Sequence, residues 1–399
     1  VIIGLDTLPD PVCRDTFLNT GGASQLLEDA FSRLPNLRSV GLRDYDGNGR
    51  LRDGDTVKWR SYGWSLGGSC EHSRQRYAQP ESIFHLLLFA LDKASVRPTN
   101  LEAFLRKKRM PDRSFDLSCL TSDVTSVLSG LRTLLLSLEA AGTFSSQQGF
   151  RPTGHIHLQN FLQDTPLLEH LRLNFTNMPI TESSSGDVGP EGFLRWFGIP
   201  VGLATKSWPK PIVLEYLTTL DLGMVYVTPK TLLQVVCKCA KLKALSLWKV
   251  TLQHTENRSE HADCVWSRYL PKIGKAFQVP EDVTEVMIGY AGEVTRTTHY
   301  NISEVKFASR ISVDGNGEKK FEDPEGKVSY RKRVGSSVQD WLEDLGKRAF
   351  IENLDNSDDS DDSDDSEGDD ELDELVDEED NENDEDDEDD GDDEVIVLS

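Results

Sequence analysis

Asp44, Asp46, Asn48, Gly49 and Asp55 follow the order D-x-D-x-N-G with an acid at the twelfth position, the spacing that wraps oxygen ligands around a calcium ion. A calcium loop of that kind works between two helices and prefers Glu at its last position, where the longer carboxylate binds through both oxygens. Here Ser39 to Leu42 reads as a strand and the last position is Asp, so a turn explains these residues better. Val313 to Lys319, VDGNGEK, reads likewise as a turn between strands. His155 and His157 stand two apart with no carboxylate or thiol beside them in the sequence, which makes a poor ligand set. Cys237 and Cys239 form a C-x-C without partners at zinc spacing. The six cysteines (Cys13, Cys70, Cys119, Cys237, Cys239 and Cys264) are spread through 399 residues and read as free thiols. No nucleophile elbow, phosphate loop or glycine-rich cradle is present in the sequence, so neither an enzyme nor a cofactor is expected.

The tail carries a different chemistry. Residues 351–399 hold 29 of the 69 acidic residues and no Lys or Arg, which leaves 43 basic against 40 acidic side chains in the rest. The net charge of -26 therefore belongs to the tail. Ordering costs roughly 1–2 kcal/mol per residue of backbone, which a polyanion with few apolar residues does not recover, so the tail is expected to be disordered. Ser357, Ser360, Ser363 and Ser366 recur every third residue among acids, a pattern suited to acid-directed kinases. Basic proteins such as histones are the partners that this charge suggests. Near +3, the remainder offers no footprint for nucleic acid, and no run of about 18 apolar residues is present to span a membrane. An intracellular location, nuclear or cytoplasmic, suits free thiols.

The positioning elements come from a repeated unit, L-x-x-L-x-L. It occurs at Leu37, Val40, Leu42; Leu131, Leu134, Leu136; Leu168, Leu171, Leu173; Leu217, Leu220, Leu222; Leu242, Leu245, Leu247; and Val283, Val286, Ile288. Each unit ends in the two-residue alternation of a strand, and most follow a stretch with helical spacing, such as Leu26 to Leu34. In TPKTLLQVVCKCA, Thr228 is placed to cap a helix and Pro229 suits its first turn. One interval, Leu222 to Leu247, is 25 residues, whereas 94 separate Leu42 from Leu136. That gap must hold an insertion, placed near 43–125, or a degenerate repeat, and ESIFHLLLFALDKAS reads as one more amphipathic helix within it. The expected fold is α/β: an irregular leucine-rich-repeat solenoid over residues 1–310, a hairpin and terminal helix over 311–350, and the disordered acidic tail over 351–399.

The stretches LPNLRSVGLRDY (Leu34 to Tyr45) and WRSYG (Trp59 to Gly63), with LSGLRTLLLSLE and FLQDTPLLEHLRLNF, resemble the leucine-rich-repeat region of filamentous-fungal F-box-like proteins. The resemblance covers about residues 1–300. It implies a non-catalytic protein-binding solenoid, the substrate receptor of a cullin-type ubiquitin ligase. Two departures stand out. Val1 to Leu5 already reads as a repeat strand, so F-box helices would have to precede it. The place three after each last Leu holds Tyr45, Glu139, Thr176, Val225, Val250 or Ala291, never the Asn of an asparagine ladder. The final DDEVIVLS places Val395, Ile396, Val397 and Leu398 after acids and looks like a SUMO-interacting motif, in which a short strand adds to a sheet edge.

Strand alternation sends the leucines inward and the intervening residues to the other, concave face. Arg43, His170, Arg172, Asn174, Asp221 and Trp248 are thereby expected to line one client-binding surface. The alternative is that Trp248 packs beneath a neighbouring loop and the others are merely solvated.

Overall fold

Leucines two apart on successive strands stack only if the strands keep one register, and in the computed structural model they do. It describes residues 1–4, 18, 20–43, 80–105, 109–120, 123–139, 155–175, 189–202, 209–254, 264–295, 302–313, 319–322, 329–333 and 337–351. The calcium-like loop, WRSYG, the tail serines and Val395 to Leu398 lie outside these residues.

Eight strands pair in parallel and in chain order: β1 (Ile2–Gly4), β2 (Ser39–Arg43), β3 (Asn100–Phe104), β4 (Thr133–Leu138), β5 (His170–Phe175), β6 (Thr219–Val227), β7 (Ala244–His254) and β8 (Glu285–Gly289). Between them come α1 (Gly22–Ser32), α2 (Pro80–Lys93), the short α3 (Thr125–Leu128), α4 (Ile156–Gln163), α5 (Pro190–Phe197), α6 (Pro229–Lys238) and α7 (Val265–Ala276). The chain is mixed α/β, with an open sheet rich in parallel pairs.

The register gives two apolar rows. Val40, Leu101, Leu134, Leu171, Leu220, Leu245 and Val286 are aligned across the strands, as are Leu42, Ala103, Leu136, Leu173, Leu222, Leu247 and Ile288. All fourteen are buried, and they share one core with helix residues such as Phe31, Phe84, Leu87, Phe161, Phe193, Leu232 and Trp266. Spacing between paired positions varies from 61 residues (Ser39 to Asn100) to 25 (Thr219 to Ala244), so length variation is absorbed outside the strands.

The backbone fixes that register before each strand begins. The Arg38 carbonyl accepts from the amides of Thr99 and Asn100, Thr99 from Arg132 and Thr133, and Arg132 from Glu169 and His170. Glu169 accepts from Thr218 and Thr219, Thr218 from Lys243 and Ala244, and Lys243 from Thr284 and Glu285. Each unit thus satisfies two amides of the next, which removes buried polar groups that would otherwise lack partners.

The 94-residue interval holds a complete helix and strand, α2 and β3. Its strand escaped the pattern because Pro98 and Ala103 stand where the other units have Leu or, in the last, Val283 and Ile288. Thr228 caps α6 as its sequence implies, accepting from the Thr231 amide, with Pro229 in the first turn.

Beyond β8 the order changes. β9 (Gly292–Thr295) pairs in parallel with the second half of β7, and β10 (Ser303–Phe307) runs antiparallel to both β9 and β14 (Ala349–Ile351). β11 (Arg310–Val313) and β12 (Lys319–Glu322) pair antiparallel as a separate two-stranded sheet, and residues 314–318 between them, read above as a turn, lie outside the described residues. β13 (Ser329–Arg333) pairs antiparallel with β8. Helix α8 (Val338–Lys347) lies on α7 through two glycines: a methyl group at Gly346 would stand 2.8 Å from the Ser267 carbonyl oxygen, and one at Gly274 3.1 Å from Gln339 Cα. All these elements belong to one compact unit.

Candidate functional site

The same alternation builds three rows on the face opposite the leucines. The first is Ser39, Asn100, Thr133, His170, Thr219, Ala244 and Glu285, all partly exposed. The second is Gly41, Glu102, Leu135, Arg172, Asp221, Ser246 and Met287. The third joins Arg43 to Phe104 and, further along, Ser137, Asn174, Gly223, Trp248 and Gly289.

The six residues expected on this face are all there, but five are almost closed from solvent: Arg43, Arg172, Asn174 and Asp221 at 5%, 9%, 3% and 6% exposure, and Trp248 at 2%. His170 alone is partly exposed. The rows hold one another. His170 Nε2 lies 2.8 Å from Asp221 Oδ2, and Arg172 Nε donates to the same oxygen at 3.0 Å. The Arg172 guanidinium also lies over the Phe104 ring, 5.3 Å from its centroid, and Arg43 pairs with Glu102 at 3.5 Å. Burial by itself would raise the Asp221 carboxyl, but the Arg172 charge and the His170 hydrogen bond overcome it and hold the group well below the usual carboxylate range.

Trp248 sits against Gly289 and meets Tyr290 edge-on, ring centroids 4.7 Å apart. With Met287 it forms a small apolar cluster separate from the main core. The chain around it is kinked in register: Met224, Lys249 and Tyr290, each two places after the last apolar residue of its unit, adopt left-handed φ of 52°, 52° and 49°. Ser137 Oγ, Asn174 Oδ1 and Ser246 Oγ are buried on this face without a hydrogen-bond partner among the described residues. A carboxylate held ionised by a guanidinium and an imidazole is suited to fixing geometry and charge, not to accepting a proton near neutral pH.

No protein-family model matches the chain, and no curated protein is significantly similar to it.

Sequence reasoning missed a second set of polar residues, because their partners are far away in the chain. Asp112 accepts from the amides of His157 and Leu158 at the start of α4, at 3.2 and 3.0 Å. Glu191, 3% exposed, accepts from the Thr228 amide and hydroxyl and from the Thr231 hydroxyl at the start of α6. Glu293, also 3% exposed, accepts from the Val265 amide at the start of α7. Acids at helix starts meet unsatisfied amides and the positive end of the dipole, so each ties one unit to another.

His155 and His157 do not converge. His155 is buried in the left-handed conformation with its ring between Phe175 and Phe193, and burial lowers its pKa. The His157 ring lies 3.8 Å from Asp116. Cys119 Sγ lies 3.5 Å from His85 Nδ1, but burial and Asp116 raise the thiol, the reverse of what a nucleophile needs. Among the described residues, no group of three or more His, Cys, Asp or Glu is placed to hold a metal ion. No helix among them is long and apolar enough to cross a membrane.

Proposed function

We propose that the chain is a leucine-rich-repeat solenoid that binds other proteins without catalysing a reaction. The observation that carries this reading is the constant register, which brings residues from seven strands, β2 to β8, into rows on the face opposite the leucines. A stacked repeat presents such rows to a partner as one surface. Client contact falls to the partly exposed row from Ser39 to Glu285, while Arg172, Asp221 and Trp248 stiffen the sheet beside it. The resemblance to fungal F-box-like proteins makes the client a substrate for ubiquitin transfer by a cullin-type ligase.

The test is site-specific photo-cross-linking from Thr133 and Thr219 on the first row, against Lys272 on the exposed side of α7. Client adducts formed from the two threonines and absent from Lys272 support the reading. The same adducts from both faces, or none from the threonines, reject it.

A second reading has its own support in the 29 carboxylates of residues 351–399. In it the tail acts as a chaperone or regulator of histones or other basic proteins, through contacts with Lys and Arg clusters that salt screens.

A further inference from the structure

A cleft of about 330 Å³ opens away from the sheet rows, between the turn after α5, the segment 213–215 and the end of α6. It is lined by Val201, Val213, Leu214, Glu215, Ala240 and, at the end of α6, by Lys238, Cys239 and Lys241. Two of its apolar residues are unusually open, Val201 at 58% and Val213 at 46%, and neighbouring Tyr216 is 46% exposed. Volumes from about 300 Å³ upward suit small ligands, and an apolar wall with a few convergent charges is the usual make-up of such sites.

The charges select the ligand. Lys238 Nζ donates to the Phe197 carbonyl at 2.7 Å and lies over the Phe197 ring, 5.7 Å from its centroid. An ammonium has three N–H donors, so this bond leaves two for a ligand. Lys241 Nζ is held over the Tyr216 ring at 5.3 Å. Among the described residues, the lining sets one carboxylate, Glu215, against these two cations. We infer that this cleft binds a small apolar monocarboxylate, its carboxylate taken by Lys238 and Lys241 and its hydrocarbon body laid on Val201, Val213 and Leu214.

Burial pushes the Lys238 ammonium down to about 8. A bound carboxylate stabilises the protonated amine and raises that value, so binding above pH 8 takes up a proton, and apparent affinity falls as the pH is raised past about 8. A cleft that is merely apolar has neither property.

The probe is 4-phenylbutyrate, titrated into the full chain by calorimetry in buffers of different ionisation enthalpy. 4-Phenylbutyramide and 4-phenylbutylamine serve as neutral and cationic controls. The expected result is binding of the acid alone, with proton uptake at pH 8.5 and affinity weakened about tenfold in Lys241→Gln and at least as much in Lys238→Met, since each variant removes a charge-assisted hydrogen bond. Circular dichroism checks both variants. Should Lys238→Met fail to fold, Lys241→Gln and the pH dependence carry the test. Equal binding of acid and amide, no binding of the acid, or affinity that neither variant nor pH alters overturns the proposal.

Discussion

Trp248 lies so close over Gly289 on the neighbouring strand that a methyl group at position 289 would stand 2.2 Å from Trp248 Cζ3 and 2.3 Å from Cε3. Glycine is therefore a requirement of the indole above it. Gly289→Ala is expected to lower stability by about 1–3 kcal/mol, the usual cost of overfilling a packed site. The double variant Gly289→Ala with Trp248→Leu should lose less than the sum of its parts, because the smaller side chain leaves room for the methyl group. Urea denaturation of the four proteins measures both effects; full additivity would show that the contact does not restrain the fold.

Asp221 supplies a pH-dependent prediction. Its pKa is depressed on folding, so its contribution is complete above the ordinary value of 3.8 and is lost as the pH falls through the lowered folded value. Asp221→Asn takes one counter-charge from the buried Arg172, and breaking a buried ion pair typically costs about 3–5 kcal/mol. The stability gap between wild type and variant should narrow as the pH falls below 4. A gap that widens below pH 4 contradicts the assignment.

Thiol accessibility should divide the described cysteines into two pairs. Cys119 and Cys237 are exposed, whereas Cys239 and Cys264 are buried and pushed up to about 12 by that burial. Maleimide labelling of the native chain at pH 7, mapped by mass spectrometry, should modify Cys119 and Cys237 and reach Cys239 and Cys264 only with denaturant. Early labelling of Cys264 would show that the start of α7 opens locally.

Salt should govern the tail. With a screening length of about 8 Å at physiological ionic strength, attraction between its carboxylates and a basic partner weakens as salt is added. Histone affinity of the full chain should fall steeply with sodium chloride, and a chain ending at Asn353 should bind far more weakly at every salt concentration. Equal affinity of the two chains removes the chaperone reading.

The last residues carry a separate expectation. If Val395 to Leu398 add a strand to the edge of a SUMO sheet, Ile396→Ala with Val397→Ala should abolish binding, and phosphate on Ser357, Ser360, Ser363 and Ser366 should strengthen it. An NMR titration with SUMO that leaves the shifts of both proteins unchanged ends the idea.

By itself the sequence determined the strand faces, because a two-residue alternation sends Leu171 and Leu173 one way and His170, Arg172 and Asn174 the other wherever the strand is placed. It determined the cap at Thr228 and the charge of the tail for the same reason, since each depends on near neighbours in the chain. Only the tertiary structure decided the register, which rests on carbonyls such as Thr218 reaching amides of another unit, and it revealed β3, whose Pro98 and Ala103 hide the pattern. Exposure was decided there too. Arg172 and Trp248 look like contact residues in a linear reading, but Asp221 lies 49 residues from Arg172 and Gly289 41 from Trp248, and only the pairing of β5 with β6 and of β7 with β8 brings them together to close the face. Helix starts were capped at comparable range by Asp112, Glu191 and Glu293, because backbone amides donate to any carboxylate that the fold delivers and leave no local mark in the sequence.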